Sequence, residues 1–250
     1  MMYTIRRHAL PIKAHIETGL VLTYAVPAGV LEEFLSPGLE LDTYGGFGFL
    51  AIGVMQTRDL RPACLPAWLG IDFSLAGYRI FARYRTRTGR TLRGLRILRS
   101  DTDRWPMALF GNLLTRYGYA RSRWTVRRNE RSYDIEIATR DGRADLHVEA
   151  DLADMNPTLP CGSPFSDFRQ ARRFAGPLPF TFDYEAETQS IIRVEGVRQS
   201  WNPRPVPVMV HRNSFLQEPP FRTAGAVLAN AFFVEDVPYT WRAGVREPLV

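Results

Sequence analysis

Residues 119–151 constrain the fold of this chain more than any other stretch. They hold three runs of alternating polar and apolar residues, separated by Asn129-Glu130 and Asp141-Gly142. Period-two alternation is the pattern of a half-buried strand, and Asp-Gly is a strong hairpin signal. If each turn has two residues, the register follows, because side chains alternate strictly between faces. Arg123 then stands opposite Glu136, and Glu136 opposite His147. Thr125, Asp134 and Glu149 form the neighbouring row, and Arg121, Ala138 and Asp145 the next. On the other face, Trp124, Ile135 and Val148 line up, as do Ser122, Ile137 and Leu146. One face of this meander is apolar and the other carries alternating charges.

The rest of the chain carries the same signals. Residues 1–18 read as an N-terminal arm, and Gly19 to Val26 as a strand. Pro27 opens a short helix whose apolar stripe is Leu31, Phe34 and Leu35, and Pro37-Gly38 ends it. Leu39 to Tyr44, Gly45-Gly46 and Phe47 to Thr57 read as a hairpin, and 59–70 as a loop. Strands follow at Ser74 to Thr86 and Thr91 to Arg99. A helix capped by Asp103 runs to about Tyr117, with Trp105, Leu109, Leu113 and Tyr117 facing inward. Beyond Pro157 come a basic helix near Pro164 to Phe174 and strands at Phe180 to Ala186, Ser190 to Ser200, Val206 to Arg212 and Ala231 to Arg242. Segment 213–225 reads as a loop. The expectation is a mainly β, α+β protein of roughly a dozen strands. Residues 1–250 form a single domain, with 19–250 as a β-barrel carrying peripheral helices. An aromatic content of 12% suits such a core.

Chemistry is narrowed by what is missing. Lys13 is the single lysine among 32 basic residues. Only an amine can lose its proton and attack a carbonyl, whereas guanidinium groups stay charged, so Schiff-base chemistry is confined to Lys13 and the N-terminus. Cys64 and Cys161 share no metal spacing and read as buried, inert thiols. No metal is expected, because Asp145, His147, Glu149 and Asp151 would need further ligands from His8, His15 or His211. No cofactor motif is present. Arg79, Arg83, Arg85 and Arg87 share a strand face with Phe81, which gives a minor nucleic-acid reading. Acidic residues, 26 against 32 basic ones, nearly balance the charge, and no binding motif appears, which argues against it. No run reads as a signal peptide or membrane span, so the expectation is a cytoplasmic protein, with a homo-oligomer left open.

Val26-Pro-Ala-Gly-Val-Leu-Glu-Glu-Phe-Leu-Ser-Pro-Gly-Leu-Glu-Leu41, Arg99-Ser-Asp-Thr-Asp-Arg-Trp105 and Leu114-Thr-Arg-Tyr-Gly-Tyr-Ala-Arg-Ser-Arg-Trp124 resemble an uncharacterised bacterial family of the acetoacetate-decarboxylase-like superfamily. The resemblance spans most of residues 20–212. It implies a closed, cone-shaped antiparallel β-barrel with outer helices and a pocket in the lumen. The decarboxylases carry their Schiff-base lysine in a Gly-aromatic-Pro-Lys-Lys stretch. Here Gly118-Tyr119-Ala120-Arg121-Ser122 stands in its place, with no residue able to form an imine. Two functional classes follow. One is a lumenal enzyme, lyase- or hydrolase-like, acting on a small oxo or carboxylic acid without an imine. Arg121 and Arg123 would hold the anion, Glu136 or His147 would move the proton, and Tyr117 and Tyr119 would shape the pocket. The other is a non-catalytic barrel that binds the same ligand.

Overall fold

The computed structural model describes residues 5–154, 156–176 and 178–249. The first four residues of the expected arm lie outside these. The arm is also shorter than expected: β1 (Ile12–Pro27) begins at Ile12, not at Gly19. Alternation already starts there, with Ala14 and Ile16 buried between more accessible neighbours. The helix α1 (Ala28–Glu32) leads to β2 (Leu39–Leu41) and then to β3 (Phe47–Pro62). β2 does not form the expected hairpin with β3. It pairs with β4 (Ile71–Arg85), leaving only a Tyr44–Phe47 bridge across the two glycines.

β4 pairs along its length with β5 (Thr91–Thr102), and α2 (Trp105–Leu114) follows. The meander is then β6 (Tyr119–Arg128), β7 (Ser132–Thr139) and β8 (Leu146–Asp151). After α3 (Phe168–Ala175) come β9 (Phe180–Glu185), β10 (Ser190–Arg198), β11 (Arg204–Pro205) and β12 (Val208–Asn213). The expected loop at 213–225 contains two short helices, α4 (Ser214–Gln217) and α5 (Phe221–Ala224). β13 (Val227–Trp241) and β14 (Val245–Pro248) complete the described chain.

Strand order closes a ring: β5, β9, β10, β13, β1, β3 and β4 are neighbours in turn, and β4 returns to β5. Pairing is antiparallel except at β5, which runs parallel to both β6 and β9. That parallel junction with β6 launches a second layer, β6–β7–β8–β12, which lies over the outside of the ring. Ile135, Ile137, Leu146 and Val148 of this layer pack on Leu20, Leu22, Ile52, Val54 and Tyr78 of β1, β3 and β4. The opposite parity of the ring strands lines the interior. Phe49 and Phe81 meet Phe165, Ala171 and Phe174 at one end, so α3 and the segment before it seal that end of the lumen.

The helix α2 presents the other face from the one expected. Met107 and Gly111 are buried, whereas Trp105 and Leu109 are 59% and 55% exposed. A helix apolar on nearly every side gives no unique inward stripe, so packing chooses. Asp103 is not its cap: the carboxylate accepts the Ser74 N–H at 2.7 Å. The helix ends at Thr115 rather than Tyr117.

Candidate lumenal site

In the meander, the β7–β8 register is the expected one, with Glu136 opposite His147. The β6–β7 register is displaced by two residues. Arg123 lies opposite Ala138, and Thr125 opposite Glu136. The cause is local. Asn129 Oδ1 accepts the N–H groups of Arg131 and Ser132, both at 2.8 Å, and this turn leaves four residues between the last cross-strand pair, Arg128 and Tyr133, where two were expected. A slip of two keeps every side chain on its face but breaks the Arg123–Glu136 row.

That charged face looks outward. Arg121 and Arg123 are exposed and do not line the lumen. Glu136 meets Arg212 at 3.4 Å, and His147 Nε2 lies 3.1 Å from Asp134 Oδ1. The physical reason is the parallel β5–β6 junction, which places this layer outside the ring with its apolar side down. Ser122, at the other lysine position of the resemblance, is buried, and its Oγ accepts the Trp124 indole N–H at 2.8 Å. Lys13 is exposed on β1.

Tyr117 and Tyr119 point inward, and the residue they approach is Arg79. On β4, Tyr78 and Ile80 face the outer layers, so Arg79 points into the ring. It stands in a cross-strand row with Asn230, Thr23 and Ala51. The guanidinium folds back along β4 over Gly77. A Cβ on Gly77 would lie 2.7–2.9 Å from three of its atoms, and one on the partner Gly53 3.4 Å from Nη1. Glycine at 77 is therefore what lets the charge lie flat against the sheet. Among the described residues Arg79 has no ion-pair or hydrogen-bond partner, and its nitrogens are not sealed in protein. Burial lowers its pKa, but a guanidinium remains charged at neutral pH.

Three phenols converge on this charge. Tyr117, Tyr119 and Tyr239 all interact electrostatically with Arg79. Burial pushes the Tyr119 phenol up to about 12 and raises the other two, so all three keep their protons at neutral pH. Among the described residues their hydroxyls have no hydrogen-bond partner. Arg198 adds a second positive charge, its Cζ lying 4.8 Å from the Tyr239 ring centroid and 5.0 Å from that of Trp201. Asn230 and Thr23, in the Arg79 row, bury polar side-chain atoms that find no partner. Such groups cost roughly 1–3 kcal/mol each and call for an explanation. The buried carboxylate nearby is Asp183. Arg96 Nη1 reaches it at 3.0 Å, and burial still raises its pKa. It adjoins Tyr117 closely enough to raise that phenol.

The convergent set is thus rich in donors. Acceptor capacity is left to the phenol oxygens, Thr23 Oγ1 and Asn230 Oδ1, since Asp183 Oδ1 is engaged by Arg96. No motif marks it. β4 carries Arg79, β6 opens with Tyr119, and β13 carries Tyr239 near its end, so only ring closure brings them together. A weak signal was present in the sequence: Arg79 lies within Leu75–Ala82, where every other residue is apolar or small.

Other expectations resolve plainly. Arg79 and Phe81 face the lumen while Arg85 and Arg87 are exposed, so the continuous basic face needed for nucleic acid is not formed. Cys64 and Cys161 are exposed, not buried. No group of three or more metal-ligating side chains occurs among the described residues, and no helix there is long and apolar enough to cross a membrane.

Comparison with known proteins places this geometry. Acetoacetate decarboxylase from Legionella pneumophila subsp. pneumophila str. Philadelphia 1 superposes with a TM-score of 0.61 at 11% identity, over 95% of this chain and 87% of that one. An acetoacetate decarboxylase-like enzyme from Sphingomonas wittichii RW1 gives 0.61 at 15% identity, over 96% and 92%. The enduracididine biosynthesis enzyme MppR, complexed with pyruvate, gives 0.60 at 11%, over 95% and 90%. These identities establish a shared fold and nothing finer. No curated protein matches in sequence. The model of the DUF2071 family, described as an uncharacterized conserved protein, matches residues 13–237, and the chain belongs to that family.

Proposed function

We propose that the lumen binds a small carboxylate-bearing oxo acid, held by Arg79 and hydrogen-bonded by Tyr117, Tyr119 and Tyr239. The observation that carries this reading is the guanidinium of Arg79, inside the ring, unpaired among the described residues and met by phenols. A half-buried guanidinium with no carboxylate beside it gains a charge-assisted partner from an anionic ligand. Pyruvate bound to the MppR fold relative is consistent with an acid of this size. Turnover would proceed without an imine, since Lys13 is exposed and Arg121 and Ser122 cannot form one.

Asp183 favours an enzyme over a plain binder. A carboxyl whose pKa is raised by burial, beside an anion site, suits proton transfer. In this reading the acid–base role lies with Asp183 rather than Glu136 or His147, and the anion role with Arg79 rather than Arg121 or Arg123.

Thermal stability against a panel of small carboxylic and oxo acids, pyruvate included, tests the binding reading. A ligand at 100 times its Kd adds about 2.7 kcal/mol, visible as a melting shift. The expected result is a wild-type shift that Arg79→Met abolishes and that Arg121→Ala and Arg123→Ala retain. A shift lost in Arg121→Ala or Arg123→Ala would move the site to the outer face. No shift with any acid would remove the reading.

A further inference from the structure

Next to the Arg79 site lies an apolar cleft of ≈ 110 Å³ between α2, the segment before β1 and the edge of the ring. Its walls include Phe73, Leu75, Met107, Phe110, Leu114 and Trp241, and Tyr117 and Tyr119 form its inner side. Two facts join it to the charge. The same two phenols face both the cleft and Arg79. Phe73, Leu75, Gly77 and Arg79 also alternate onto one face of β4, and the guanidinium folds back over Gly77, toward Leu75. Two strand residues span about 7 Å. Arg79 is not itself a wall of the cleft; Tyr117 and Tyr119, which line the cleft and interact with the guanidinium, join the two. Phe110, at 51% exposure, lies at the outer rim, so the cleft opens to the surface.

We infer that the acid bound here is amphiphilic: a carboxylate or oxo-acid head at Arg79 and an alkyl or aryl tail in the cleft. This rests on the reading of the lumen as an acid site and specifies which acids it prefers. A head group alone would leave the cleft to water, against walls that offer almost no polar partner. A tail several carbons long, or a phenyl ring, removes that apolar surface from water while the head neutralises the guanidinium. The phenols at the junction suit both halves, with rings along the tail and hydroxyls at the head.

The test is a homologous series measured by titration calorimetry on the full chain: pyruvate, 2-oxobutyrate, 2-oxohexanoate, 2-oxooctanoate and phenylpyruvate. Affinity should rise about fourfold per buried methylene and level off once the cleft is filled. Arg79→Met should abolish binding across the series. Leu114→Trp, which narrows the cleft, should erase the gain with length and leave pyruvate unchanged. Phe110→Ser, at an exposed position that folding tolerates, should reduce the gain severalfold. Affinity that is flat or falls with length, with pyruvate still bound through Arg79, would overturn this inference and leave the acid site standing. Long acids that bind Arg79→Met as well as wild type would overturn it too, since the head would not be at Arg79. No binding by any member would remove the acid site and this inference together.

Discussion

At the scale of single residues, the lumen trades stability for readiness. Among the described residues Arg79 has no counter-ion, and it is half-buried within the ring. Arg79→Met keeps most of the volume and removes the uncompensated charge. The ligand-free variant should be more stable than wild type, by about 1–4 kcal/mol in denaturant unfolding. An unchanged or lower stability would mean that the charge has a partner within the fold. Thr23→Val is a milder case. It deletes a sealed hydroxyl with no hydrogen bond at nearly constant shape, and should be neutral or stabilising by about 1 kcal/mol. Asp183→Asn separates binding from chemistry: affinity for the acid should persist while any turnover falls by about 10²-fold or more.

At the scale of elements, two ion-pair networks fasten segments that weak local signals would leave loose. Arg99 on β5 grips Asp101 at 2.6 and 3.0 Å and Asp141 at 2.7 and 2.9 Å. It thereby ties the β7–β8 turn to the ring. Bidentate pairing with Arg99 holds the Asp141 carboxyl well below the usual range, whereas burial pushes Asp101 up. Arg99→Ala leaves Asp101 charged and buried, and should cost about 3–5 kcal/mol in unfolding. The second network joins the N-terminal segment to β9: Arg7 at 2.6 Å and Arg116 at 3.1 Å share Glu185. Hydrogen bonding to Arg7 depresses the Glu185 pKa to about 2 from 4.5. A depressed carboxyl contributes stability above its unfolded pKa and loses it as pH falls through the folded one. Its contribution should therefore be full above about pH 4.5 and vanish toward pH 2. Glu185→Gln should flatten that part of the stability–pH curve. A mutant curve parallel to wild type between these limits would refute the assignment.

At the scale of the whole molecule, two β layers divide the labour. The ring encloses the charge, and β6–β7–β8–β12 covers the ring while turning its own charged face to water. Arg121→Ala and Arg123→Ala should therefore change stability by no more than about 0.5 kcal/mol, as surface substitutions do. A larger loss in either would show that the outer face is engaged.

Much of the fold was legible from residues 119–151, since alternation named the strands, their buried face and the β7–β8 register. The β6–β7 register was not, because a four-residue turn closed by Asn129 competes with the two-residue one and both keep the same faces. The pocket role of Tyr117 and Tyr119 came from the resemblance and not from periodicity. Arg79 was visible only as one arginine on a basic strand. By itself the sequence determined local matters: periodicity chose strands, proline and glycine chose most turns, and a lone Lys13 restricted imine chemistry. Which side of each layer faces the lumen, and which arginine stands there without a partner, was decided by ring closure and by the parallel β5–β6 junction. Those are contacts between segments far apart in the chain, and alternation fixes two faces without saying which one lies inside.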